Sequence, residues 1–206
     1  MTHPPAAKRL LFATQNAGKL RELRELVAAL DVEVLSLADI TAPEVEETGE
    51  TFAENAILKA QGACEATGLP TLADDSGLEV DALDGRPGVR SARYAGPDAN
   101  DRQRYEKLLG ELEPLQGQNK RTARFRCAMA FCLPGAKPVV HQGACEGEIM
   151  HTPRGEGGFG YDPVFFCHAL QKSFAEADAA EKNRVSHRGK ALELMADVLR
   201  DYFRQA

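Results

Sequence analysis

Residues 72–80 read Leu-Ala-Asp-Asp-Ser-Gly-Leu-Glu-Val. An apolar approach runs into two adjacent carboxylates, then a small hydroxyl residue and a glycine, and turns apolar again. The segment reads as a core strand with charge at its lip. Carboxylates are costly to bury unless they are paired, hydrogen-bonded or bound to a metal. A divalent cation with a water to activate accounts for this pair. Consecutive side chains of an extended segment point to opposite faces. Asp74 and Asp75 are therefore not expected to grip one ion side by side unless the chain kinks at Gly77. One is expected to serve the chemistry and the other to orient the loop. An isolated Asp-Asp-Ser-Gly stretch is more often a simple turn, so its neighbours decide the matter.

Upstream, Arg9 to Ala13 reads as a short buried strand. The polar turn Thr14-Gln15-Asn16-Ala17-Gly18 leads into a helix with apolar positions at Leu20, Leu23, Leu26, Val27 and Leu30. Val32 to Leu37 reads as a second strand. Thr51 and Glu54 have capping-box spacing for a second helix. Its apolar face is Ala53, Ile57, Ala60 and Cys64, and Gly68 and Pro70 mark its end.

Downstream, Asp84-Gly85-Arg86-Pro87-Gly88 is a turn-rich loop running on to Gly96. Asp98 to Leu109 reads as a third helix and residues 113–121 as an exposed linker. Ala123, Phe125, Cys127, Met129 and Phe131 alternate with Arg124, Arg126, Ala128 and Ala130, a long half-buried strand. Gly135 to Pro138 turns it into another strand ending near Ile149. Residues 154–160 hold four glycines, and Pro163 to Cys167 is one more strand. Ser186 caps a last helix with an inner face of Leu192, Met195, Val198, Leu199 and Tyr202. The class is α/β with several long strands, expected as one domain, residues 1–206, with two lobes around a cleft. The strand-rich middle forms one lobe.

The 206 residues suffice to bury a large core without disulfides. A net charge of −6 argues against a nucleic-acid coat or a membrane surface as partner. A local group of lysines and arginines can still hold the phosphates of a nucleotide. No apolar run approaches the ~20 residues of a membrane span, and Met1 to Pro5 does not resemble a signal peptide. The five cysteines lack a C-x-x-C pair. Cys64 falls in a helical segment and Cys127, Cys132, Cys145 and Cys167 in strand-like ones. Reduced, buried thiols in the cytoplasm are expected, and no zinc site.

Four segments carry potential chemistry. Thr14 to Lys19 joins a strand to a helix start, where free N–H groups and the helix dipole attract phosphate. It lacks the Walker A spacing, since Leu20 follows Lys19, and Asn16 is also a good N-cap. Glu44, Glu46, Glu47 and Glu50 crowd the second helix entry, where acidic residues suit the dipole. One of them could join a magnesium ion, which is held by one or two carboxylates plus substrate phosphates. Lys59 follows two turns on. Gly157-Gly158-Phe159-Gly160-Tyr161-Asp162-Pro163 places a ring among glycines, either a stacking platform for a flat ligand or a ring folded back onto the core. Ser186-His187-Arg188 opens the last helix. Arg188 only donates hydrogen bonds, so against a purine it favours a 6-keto over a 6-amino group. His3, His141, His151 and His168 look incidental.

Five pieces, in order, resemble the Ham1/RdgB family, the inosine triphosphate pyrophosphatases. They are Ala13 to Lys19, EETGETFAENAILKA (46–60), ADDSGLEVDALDGRPGVRSARYAG (73–96), GGFGYDP (157–163) and EKNRVSHRGKAL (181–192). Gln15 departs from the family, which often has glycine there. A need for positive φ at that position would alter the phosphate loop. The resemblance implies an elongated α/β mixed-sheet fold of two lobes around a central nucleotide-binding cleft. It implies a homodimer that hydrolyses non-standard purine nucleoside triphosphates (ITP, dITP, XTP) to monophosphate and pyrophosphate, with Mg²⁺ as cofactor. It implies Asp75 as general base and metal residue, with Glu47 as metal ligand and Asp74 less suited to that role. Thr14, Gln15, Asn16, Ala17, Gly18 and Lys19 bind the triphosphate, assisted by Ser76, Lys59 and Lys182. Phe159, Gly160, Tyr161, Asp162, His187 and Arg188 hold the base. The alternatives are a Maf-type pyrophosphatase for pyrimidine or modified nucleotides, and a non-catalytic nucleotide-binding protein. The Phe159 loop and Ser186-His187-Arg188 argue against the first. The set Lys19, Glu47 and Asp75 argues against the second.

Overall fold

A computed structural model describes residues 8–28, 32–40, 45–115 and 121–205. The expectations for His3, Leu30 and Glu44, for the side chain of Leu26 and for most of the 113–121 linker lie outside them. Among the described residues, seven strands form one mixed sheet, in the order β2-β1-β3-β4-β5-β6-β7. They are β1 (Arg9–Phe12), β2 (Glu33–Ser36), β3 (Thr71–Val80), β4 (Thr122–Cys132), β5 (Val139–Ile149), β6 (Phe165–Cys167) and β7 (Lys172–Ser173). The helices are α1 (Ala17–Val27), α2 (Phe52–Thr67), α3 (Asp101–Leu112), α4 (Ala179–Val185) and α5 (His187–Gln205).

Helical crossovers make β1 parallel to β2 and to β3. From β3 onward the sheet is antiparallel, and β3 pairs with β4 along its whole length, from Thr71↔Cys132 to Val80↔Ala123. β3 is thus where the parallel and antiparallel halves meet. Its alternation sorts the core. Leu72 packs with Leu10, Phe12, Leu23 of α1 and Leu192, Met195 and Leu199 of α5. Ala73 faces the other way, against Phe52, Ala56, Ala60 and Cys64 of α2. Farther along, Leu78 and Val80 join Leu108 and Leu112 of α3, Phe125, Ile149, Phe165 and Phe174 in a further cluster. β3 and β4 run through these clusters, so both ends of the molecule share one sheet.

Several local expectations shift. α3 begins at Asp101 rather than Asp98, because Asn100 supplies the cap and forms a capping box with Gln103. β4 is half-buried only at its start; from Cys127 to Cys132 both faces are covered, by α5 on one side and α2 on the other. α2 keeps its Thr51–Glu54 capping box and its left-handed Gly68. Its buried face is Phe52, Asn55, Ala56, Ala60, Ala63 and Cys64, with Ala53 and Ile57 at the margin. β3 continues through Gly77 as a strand. That glycine admits a neighbour: a Cβ there would lie 2.4 Å from the Gly88 carbonyl oxygen and 2.5 Å from Ser91 Oγ.

Candidate active site

The cleft opens where β1 stops. β1 pairs with β3 only at Leu11↔Thr71 and Phe12↔Leu72. One further bond joins Ala13 N–H to the Leu72 carbonyl at 2.8 Å before the chain turns into α1. α1 and α2 lie on opposite faces of the sheet. Such a switch point, at the carboxyl ends of strands, is where open α/β sheets place ligands. A cavity of about 340 Å³ occupies it.

Because β3 does not kink, Asp74 and Asp75 diverge. Asp74 shares the α1/α5 side with Leu72 and is 1 % exposed. Lys19 Nζ donates to its Oδ1 at 3.1 Å, and Arg188 Nε and Ser76 Oγ donate to its Oδ2 at 3.3 and 3.2 Å. Burial works to raise this carboxyl, but Lys19 and Arg188 outweigh it and hold the group well below the usual range. Asp75 lies on the α2 side. Asn55 Nδ2 donates to its Oδ2 at 3.2 Å, and Lys59 Nζ stands 3.4 Å from its Oδ1. Here burial prevails over the attraction of Lys59 and Lys19, and the carboxyl is raised. Adjacent residues are thus pushed in opposite directions, the pattern that separates a fixed anion from a proton acceptor.

Lys59 also donates to Glu47 Oε1 at 2.8 Å, and Arg93 Nη2 to Glu47 Oε2 at 2.9 Å. Burial would raise Glu47, yet Lys59 and Arg93 lower it overall. Among the described residues no three acidic, histidine or cysteine side chains group as a metal cage. Two carboxylates, Glu47 and Asp75, line one wall of the cavity together. That number fits a magnesium ion completed by phosphate oxygens and water.

At α1, Asn16 Oδ1 accepts from the Gly18 and Lys19 N–H groups at 2.9 and 3.1 Å, and Thr14 Oγ1 from Asn16 N–H at 3.1 Å. Gln15 is not among the described non-glycine residues with positive φ, which are Asp84 and Gln171. Glutamine therefore fits that turn without backbone strain. Gly18 makes room instead: a Cβ there would meet Phe159 Cδ1 at 2.9 Å.

The glycine loop is pinned from several sides. Asp162 Oδ2 accepts from Phe159 N–H at 2.9 Å and from Lys182 Nζ at 2.7 Å. Asp101 Oδ2 accepts from Gly160 N–H at 2.7 Å, and Tyr161 donates its hydroxyl to the Ser91 carbonyl at 2.9 Å. Phe159 sits over cations, with Lys182 Nζ 4.6 Å and Arg188 Cζ 5.7 Å from its ring centre.

His187 and Arg188, at the start of α5, are 5 % and 2 % exposed. Arg188 donates to Asp74, to Ser76 and, through Nη1, to Glu22. Three of its five N–H groups are therefore committed inside the protein, which leaves less for a ligand than a free donor would offer. His187 differs. Its ring stacks on Phe125 with centres 4.7 Å apart, and its buried Nδ1 has no hydrogen-bond partner among the described residues. Burial first, then the nearby Arg188 and Lys182, hold the imidazole well below its ordinary 6.5.

The cavity brings together Thr14, Gln15, Asn16, Lys19, Glu47, Lys59, Asp74, Asp75, Ser76, Phe159, Gly160, Tyr161, Asp162, Lys182, His187 and Arg188. Ala17 and Gly18 stand outside its lining. Sequence reading missed Glu22, Asn55, Asp101 and Arg104. Glu22 is 8 % exposed and is held between Lys182, at 3.0 Å, and Arg188. Its only sequence signal is a carboxylate beside Leu23 on the apolar stripe of α1. Asn55 is an amide on the inner face of α2, one turn before Lys59. Asp101 and Arg104 line the cavity from the first turn of α3.

A family model described as the Ham1 family matches residues 10–198. A dITP/XTP pyrophosphatase of Geobacillus kaustophilus is 55 % identical over 186 residues, covering 90 % of this chain and 91 % of that protein. One of Geobacter sulfurreducens is 53 % identical over 192 residues, covering 93 % and 96 %. Among solved structures, a HAM1 protein from Coxiella burnetii superposes with a TM-score of 0.86 at 45 % identity, covering 94 % of this chain and 99 % of that one.

Proposed function

The chain belongs to the Ham1 family, and from that premise we propose that it hydrolyses dITP, ITP and XTP to the nucleoside monophosphate and pyrophosphate with Mg²⁺ as cofactor. The carrying observation is the divergence of Asp74 and Asp75. Asp74 is spent on Lys19, Arg188 and Ser76 and anchors the cations. Asp75 lines the cleft with a raised proton affinity and is the general base that orients and deprotonates the attacking water. The first turn of α1 and Lys19 receive the triphosphate, with Ser76, Lys59 and Lys182 assisting.

The site is balanced before substrate arrives. Lys19, Lys182 and Arg188 face Glu22, Asp74 and Asp162, while Lys59 and Arg93 face Glu47 and Asp75. A polyanionic substrate adds uncompensated negative charge, which suits a divalent cation held by Glu47 and Asp75. Bound there, it would offset charge growing on the phosphates.

The base lies against Phe159 to Asp162 and His187-Arg188. His187 Nδ1, without a hydrogen-bond partner among the described residues, and the remaining Arg188 N–H groups are available to read its edge. A donor left unpaired against a 6-amino group carries a penalty larger than a shape mismatch, which disfavours ATP. A homodimer and a cytoplasmic location complete the proposal. The five cysteines, all unpaired and buried, suit a reducing compartment.

Pyrophosphate and orthophosphate release with Mg²⁺ from dITP and XTP, beside ATP, GTP, dTTP and dUTP, tests this reading. Fast pyrophosphate release confined to dITP and XTP is expected. Equal rates on all substrates would remove the role of the base pocket. Orthophosphate as first product would overturn the reaction.

A further inference from the structure

Asn55 is 2 % exposed, and its amide is used at both ends. Its Oδ1 accepts from Gly49 N–H at 2.8 Å, and its Nδ2 donates to Asp75 Oδ2 at 3.2 Å. A backbone N–H can only donate, so the Gly49 contact fixes which end of the amide carries oxygen. The NH₂ group is thereby turned to Asp75. Asn55 and Lys59 are four residues apart on α2 and share a face. One helix thus supplies a donor to each oxygen of the same carboxylate, Asn55 to Oδ2 and Lys59 to Oδ1. The loop end of the contact matters too. Gly49 lies two residues from Glu47, and a Cβ at Gly49 would stand 2.7 Å from Asn55 Oδ1. The amide therefore sits close against that loop.

We infer that Asn55 is a positioning residue for the reaction, locking the rotation of the Asp75 carboxylate and setting the distance between Asp75 and the loop that carries Glu47. This rests on Asp75 being the base. The carboxylate is buried on a strand, where the Asn55 contact selects one orientation of its plane. A base turned away from the attacking water loses rate even when the substrate is bound as before. Partners that orient such groups are typically worth 10–100-fold in activity.

Asn55→Asp separates the two ends. It keeps an oxygen for Gly49 N–H and replaces the donor to Asp75 with an acceptor. Steady-state turnover of dITP would be measured for wild type, N55D, N55A and D75N, with nucleotide binding measured on each. The expected result is a kcat for N55D lower by on the order of 10–100-fold, with KM and nucleotide affinity within about threefold of wild type. N55A, which adds no charge, should show the same split and serves if N55D does not fold. Wild-type kcat in a folded N55D or N55A, or a loss confined to KM, overturns the inference while D75N remains inactive. Full activity in D75N overturns the assignment of the base, and the inference with it.

Discussion

Asp74 and Asp75 show how one residue step decides a role. Both are carboxylates on the same strand, yet one meets Lys19 and Arg188 and the other meets Asn55 and Lys59. Their substitutions should fail in different ways. Asp74→Asn removes the buried anion between Lys19 and the buried Arg188, and breaking a buried pair such as that with Arg188 costs about 3–5 kcal/mol. Its thermal midpoint should fall clearly. Asp75→Asn removes a carboxylate whose charged form burial disfavours. Its thermal midpoint should stay near that of wild type while dITP turnover is lost and nucleotide binding is largely kept. Thermal unfolding beside turnover checks both; a destabilised Asp75→Asn with intact turnover would reverse the two roles.

At the level of elements, α2 depends on its start. Thr51 Oγ1 accepts from Glu54 N–H at 3.2 Å, while Glu54 Oε2 accepts from the Glu50 and Thr51 N–H groups at 2.8 and 3.0 Å. This end of the helix also carries Asn55, and Lys59 follows one turn later. Thr51→Ala should cost about 0.5–2 kcal/mol, the usual worth of such a cap, measured by chemical denaturation. The cap was legible in sequence because its partners are three residues apart. The inner face of α2 was less so: Asn55 interrupts the apolar stripe, and only the sheet beneath shows that it faces a carboxylate. The start of α5 was legible as a site segment, but its burial was not. His187 and Arg188 look like exposed basic residues at a helix start, but β3 and β4 enclose them.

Across the whole molecule, the price of enclosing charge appears as pH dependence. His187 is buried with its proton affinity held well below the ordinary 6.5. Below about 6.5 the unfolded chain takes up a proton that the folded chain refuses. Its contribution to stability is therefore full above that pH and falls as the solution is acidified. Asp75 and Asp162, both raised by burial, act in the opposite sense at more acid pH. A comparison of urea midpoints at pH 7.5 and 5.5 isolates the histidine. Wild type should lose stability on acidification, and His187→Asn should lose less. An equal loss in both would place the effect on other groups.

The sequence alone determined the α/β class, the cap of α2, the strand around Asp74 and Asp75, and most of the segments that meet in the cleft. These are local matters: period, spacing and turn chemistry act within a few residues. Tertiary structure decided what each charge faces. β1 ends at Phe12 and leaves β3 open beyond Leu72. From there α1 and α5 enclose Asp74 while α2 encloses Asp75. Glu22 finds Lys182 and Arg188 across more than 150 residues of chain. Burial and neighbouring charge set a carboxylate's proton affinity, and both come from residues far away in sequence.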